Sequence, residues 1–180
     1  MTLGKWWQVA AALVVGTLVA GSALAQVNLN PTTEPRMGPN HLIVFTFDKP
    51  VISGNAAAIA EGPGGTATVG AVTVDPTNSS ALLVPLTGVS DIQYVTVNVT
   101  NVVAADGGTG GVGSARIGFL FGDVNQSRSV SPLDLLAISP QLLQTVGLTN
   151  FLKDINLSLS ISPLDLLAVS PNLLHVLPAP

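Results

Sequence analysis

Oxygen-bearing side chains recur at fixed spacing in one stretch of this 180-residue chain: Asp123, Asn125, Ser127, Ser129, Ser131 and Asp134. The same types return 31 residues later at Asp154, Asn156, Ser158, Ser160, Ser162 and Asp165. Counted from the first Asp of each set, they fall at positions 1, 3, 5, 7, 9 and 12. A hard divalent cation such as calcium takes six to eight oxygen ligands, and a twelve-residue loop can deliver them from these positions. Charge placement points the same way. Residues 121–180 hold four acidic residues, Asp123, Asp134, Asp154 and Asp165, and each stands at position 1 or 12 of a loop. Acids that only solvate a surface would be scattered.

The loops belong to a longer duplication. Residues 123–143 align with 154–174, and 15 of the 21 positions are identical. Chance does not produce such a match, so the segment is an internal repeat. Ser131 and Ser162 suit an N-cap, Pro132 and Pro163 the first helical position, and Asp134 and Asp165 the position three after the cap. Each loop therefore runs into a short helix. This also supports a second reading, in which Ser-Pro-Leu-Asp is a capped helix start that needs no metal. The two readings are compatible, since the position-12 Asp can both cap and ligate. Position 8, Val130 and Ile161, is β-branched and is expected to pair the two loops back to back. Pro140 and Pro171 each remove a helical hydrogen bond and clash with the preceding turn, so each helix should kink or restart at Ser139 and Ser170.

Two positions depart from a strong calcium loop. Position 6, normally Gly for a sharp turn, is Arg128 and Leu159. These must enter a left-handed conformation at ~1–2 kcal/mol or turn another way. Position 5 is Ser, which leaves two carboxylates per loop and lowers affinity. The second loop, with Leu157 and Leu159, is the poorer site.

Two loop-helix repeats near the C-terminus, reading Gly-Asp-Val-Asn…Val-Ser-Pro-Leu-Asp-Leu-Leu and Lys-Asp-Ile-Asn…Ile-Ser-Pro-Leu-Asp-Leu-Leu, resemble a dockerin type I module with EF-hand-like loops. The resemblance covers about residues 121–177. It implies two bound calcium ions, held by Asp123, Asn125, Ser127 and Asp134 and by Asp154, Asn156, Ser158 and Asp165, with Ser129 and Ser160 contributing backbone carbonyls. It also implies docking to a cohesin-like protein domain, typically in polysaccharide-degrading assemblies. The residues that would help choose the partner are Pro132-Leu133 and Pro163-Leu164. They are identical in both copies, which would permit two equivalent, rotated docking modes. An intramolecular partner or a divergent one is the other outcome that the helix-interrupting prolines leave open.

The elements ahead of the repeat read as β. A β-rich run at 42–47 and further short runs rich in Val and Thr at 66–74, 81–85 and 94–99 are separated by Gly, Pro and Asn clusters, and 94–99 alternates apolar and polar residues. That period of two marks a half-buried strand. No helix of useful length is visible between 41 and 120. The expected fold is an Ig-like antiparallel β-sandwich over 41–120 followed by a small α-helical module over 121–180. The opening strand, Ile43 to Val51, loosely resembles bacterial Ig-like modules of exported surface proteins. Residues 26–40, rich in Pro and Asn, read as a linker. Gly107 to Gly113 reads as a flexible hairpin tip. Residues 1–25, with Lys5, an apolar run and Ala23-Leu24-Ala25, have the form of a secretory signal peptide, which predicts a secreted or cell-surface protein with no membrane span after cleavage.

Composition narrows the functions. Lys plus Arg is 6 against 10 acidic residues, which offers no basic patch for nucleic acid. There is no cysteine, and the histidines are His41 and His175. His41 reads as a surface or strand-edge residue and His175 as helix-terminal. The remaining carboxylates are spread singly near turns, where Asp is common for local reasons. The chain reads as non-catalytic. Carbohydrate association follows only from the family resemblance, because Phe45, Phe47, Tyr94 and Phe119 look mostly like core. The alternative to a calcium-dependent association module is a structural or adhesive surface protein whose repeat is a metal-independent helical cap on the sandwich.

Overall fold

The computed structural model describes the backbone of residues 11–16 and, in full, residues 31–179. Most of the leader read over residues 1–25 lies outside the described residues. The exception is β1 (Ala11–Gly16), which pairs in parallel with β3 (His41–Phe47).

The chain is β first and α afterwards. One sheet runs β1–β3–β7, where β7 is Ala81–Thr87, and the two-residue strands β5 (Thr68–Val69) and β6 (Thr73–Val74) also pair with β7. The other runs β2–β9–β8–β4, with β2 at Thr33–Glu34, β9 at Gly111–Phe119, β8 at Gln93–Ala104 and β4 at Val51–Glu61. Alternate residues of β3 are buried, as a period of two requires. Ile43, Phe45 and Phe47 meet Leu82, Val84 and Leu86 of β7 and Val95, Val97 and Val99 of β8 in one shared core. All four aromatics noted above, Phe45, Phe47, Tyr94 and Phe119, are buried.

Two strands fall outside the runs that stand out in the sequence. β4 is an edge strand built mostly of Ala, Gly, Ser and Asn, residues with weak strand preference. Its pairing with β8, from Val51 opposite Ala104 to Glu61 opposite Tyr94, sets its structure instead. β9 begins at Gly111, inside the stretch read as a flexible tip. At Gly113 a Cβ would lie 3.0 Å from Val99 Cγ2 of the same sheet and 3.3 Å from Phe45 Cδ1 of the other, so glycine there allows close approach between the sheets. Conversely, the apolar run at 66–74 yields only β5 and β6.

The C-terminal region holds α1 (Pro132–Ile138) and α2 (Pro163–Val169), each followed by a 3-10 turn, Ser139–Gln141 and Ser170–Asn172. Pro140 and Pro171 lack the N–H that would continue the α-helix, and the chain tightens there as anticipated. Ile138, Ile155, Ile161, Val130 and Val169 form a second core, which Tyr94 of β8 and Leu120 complete. The Tyr94 hydroxyl donates to the Pro178 carbonyl at 3.2 Å.

The stretch read as a linker is part of the fold from Thr33 onward. Thr33, Glu34 and Arg36 are buried. Arg36 forms a two-pronged ion pair with Glu34, at 2.6 and 2.8 Å, and lies over the Phe151 ring. The Met37 N–H donates to the Ile155 carbonyl and the Gly122 N–H to the Pro35 carbonyl, both at 2.8 Å. This segment thus ties the sheets to the helical region.

Candidate metal centre

Each loop is shaped by two residues with positive φ. In the first these are Gln126 (59°) and Arg128 (69°), and in the second Leu157 (59°) and Leu159 (67°). Position 6 therefore takes the left-handed conformation without the usual glycine. Part of that cost is offset directly, because the Arg128 N–H donates to Asp123 Oδ2 and the Leu159 N–H to Asp154 Oδ2, both at 2.9 Å.

The oxygens of positions 1, 3, 5 and 7 converge. The Ser127 N–H is shared by Asp123 Oδ1 at 2.8 Å and Asn125 Oδ1 at 2.9 Å. Ser127 Oγ lies 3.4 Å from Asp123 Oδ1 and donates to the Ser129 carbonyl at 3.0 Å. Asp134 closes the ring from the helix: its Oδ1 accepts from the Asn125 N–H and its Oδ2 from the Ser131 N–H. The second loop repeats this pattern apart from the Ser127 Oγ contact with Asp123. Ser158 N–H serves Asp154 Oδ1 and Asn156 Oδ1, Ser158 Oγ donates to the Ser160 carbonyl, and Asp165 accepts from the Asn156 and Ser162 N–H groups. Both helices begin with full capping boxes, Ser131 with Asp134 and Ser162 with Asp165.

All four carboxylates are buried: Asp123, Asp134 and Asp165 are 0% exposed and Asp154 is 2% exposed. Among the described residues none of them forms an ion pair. Burial raises the Asp123 carboxyl above its ordinary value, and the neighbouring Asp134 charge adds to the rise, against hydrogen bonds from Thr33, Arg128 and Ser127. Buried charge without a counter-charge is costly, and proteins usually pair it or place a metal on it. Among the described residues no three His, Cys, Asp or Glu side chains cluster. Each loop instead combines two carboxylates with amide, hydroxyl and main-chain oxygens, a donor set that suits a hard cation.

The loops do not pair back to back through position 8. The Val130 N–H donates to the His175 carbonyl, and the Leu174 N–H to the Val130 carbonyl. In the other half, the Ile161 N–H donates to the Gln144 carbonyl and the Leu143 N–H to the Ile161 carbonyl. Each loop is therefore closed by the segment that follows the other repeat's helix. Leu143 and Leu174, with φ of 67° and 73°, turn the chain into that position. Val130 and Ile161 are buried in the shared core, and their main-chain groups bond to the crossing segments.

The residues expected to face a partner are on the outside. Pro132 and Pro163 are exposed, and Leu133 and Leu164 are 63% and 61% exposed. Leu136 and Leu167, one turn on, are as open. His41, read as a surface or strand-edge residue, opens β3 and is buried against Phe119, with Nε2 2.9 Å from the Gly38 carbonyl. Burial lowers its pKa. His175 follows the last 3-10 turn, 3.4 Å from Asp91.

Thr33 joins the site from outside the loops. Its hydroxyl donates to Asp123 Oδ2 at 2.8 Å across 90 residues. Nothing marks this Thr within a polar, Pro-rich stretch. Comparison with protein-family models, curated proteins and solved structures gave no match to the chain.

Proposed function

We propose that residues 121–177 form a calcium-binding, dockerin-like module of a non-catalytic exported protein, and that the module mediates protein association. The observation that carries this reading is the pair of buried carboxylates in each loop, ringed by converging oxygens and without a cationic partner among the described residues. Asp123, Asn125, Ser127, Asp134 and the Ser129 carbonyl would hold one ion. Asp154, Asn156, Ser158, Asp165 and the Ser160 carbonyl would hold the other. Calcium would supply the missing positive charge and fix the loops.

The sheets ahead of the module are proposed as an Ig-like sandwich that carries it. The exposed faces around Pro132, Leu133 and Leu136 and around Pro163, Leu164 and Leu167 are the proposed contact surfaces for a cohesin-like domain. Secretion and a link to extracellular polysaccharide degradation follow from the leader and the family resemblance. A metal-independent helical cap is the second reading, and the two full capping boxes favour it.

Equilibrium dialysis against calcium, with metal analysis of the protein, separates the two. The calcium reading predicts two ions per chain, and none in the protein carrying both Asp123→Ala and Asp154→Ala. No calcium retained by the unaltered protein would leave the helical-cap reading.

A further inference from the structure

The two loops share their backbone hydrogen bonds inside the ring, yet two side-chain contacts at Asp123 have no counterpart at Asp154: a long one from Ser127 Oγ at 3.4 Å and a short one from Thr33 at 2.8 Å. Asp154 accepts from the Ser158 and Leu159 N–H groups. Asp123 accepts from the equivalent Ser127 and Arg128 N–H groups and, in addition, from the Thr33 hydroxyl. Thr33 is only 3% exposed. Its position is fixed by the sheet, since β2 pairs in parallel with β9, Thr33 opposite Gly118. The Gly118 N–H also donates to the Thr32 carbonyl at 2.9 Å.

We infer that Thr33 is a positioning residue for the first calcium site, supplied by the β region to a loop 90 residues away. The inference rests on the calcium reading. A hydroxyl is a neutral donor, so it orients the Asp123 carboxylate without cancelling the negative charge a cation needs. It also fixes a rotor that would otherwise be held only by groups of the loop itself. Outer-shell donors of this kind typically change metal affinity by 10–100-fold when removed. The Asp123 carboxylate of the first loop therefore draws on the β region, whereas among the described residues Asp154 accepts only from N–H groups of its own loop.

The test is calcium titration of the full chain by isothermal calorimetry, in backgrounds that leave one loop at a time. Asp154→Asn isolates the first loop and Asp123→Asn the second. With the first loop isolated, Thr33→Val should weaken calcium binding about 10–100-fold, and Thr33→Ser should keep the original affinity. With the second loop isolated, Thr33→Val should change nothing. Equal first-loop affinity in the Thr33→Val protein would overturn the inference while leaving the calcium reading intact. Equal weakening at both loops would also overturn it, because a general loss of structure would then be the cause. Absence of calcium heat in the unaltered protein would remove both the inference and the reading beneath it.

Discussion

Leu159 holds a left-handed conformation that the loop needs and that its side chain resists. Such a residue costs ~1–2 kcal/mol, and it is 54% exposed, so its side chain contributes little packing. Leu159→Gly should remove the strain, and part of the gain is lost to the greater freedom of glycine in the unfolded chain. The net expectation is about 0.5–1 kcal/mol of added stability, read by urea denaturation, whereas Leu159→Val should lose stability because a β-branched residue is a poorer fit to positive φ. The same residue shows what the sequence could convey. The oxygen spacing and the exclusive placement of acids at positions 1 and 12 located the ring, and the structure brings those residues together. How position 6 turns without glycine was open, because the answer lies in the Leu159 N–H bond to Asp154 and its twin at Arg128.

Two short helices would not persist alone, since nucleation is costly and helices under about 12 residues are marginal in water. At seven residues each, α1 and α2 depend on their caps and on the shared core. Ser131→Ala should therefore destabilise the protein by about 1 kcal/mol, measured by chemical denaturation in calcium-free buffer. A change within error would mean that the Asp134 bond to the Ser131 N–H is sufficient by itself. Helix starts and stops were legible because Ser, Pro and Asp act locally. The pairing of Val130 and Ile161 was not, because local sequence does not say which strand crosses a loop. β4 was hidden for the related reason that its Ala-rich residues take their structure from β8.

At the scale of the whole molecule, the sheets, the segment ahead of them and the helical region share packing and hydrogen bonds. Tyr94 and Leu120 belong to the second core. Glu34, Arg36 and Met37 bind the sheets to the loop region. Long-range contacts such as Thr33 to Asp123 leave no trace in composition or periodicity, so this coupling was invisible in the sequence. The coupling means that the β and α regions should unfold together, and that an ion bound in the loops should stabilise the chain as one unit. At free calcium about 100 times the dissociation constant, one site adds about 2.7 kcal/mol. The most direct measurement is scanning calorimetry of the full chain across a calcium series. One unfolding transition is expected, moving to higher temperature as calcium rises. A melting temperature that stays constant up to millimolar calcium would contradict it.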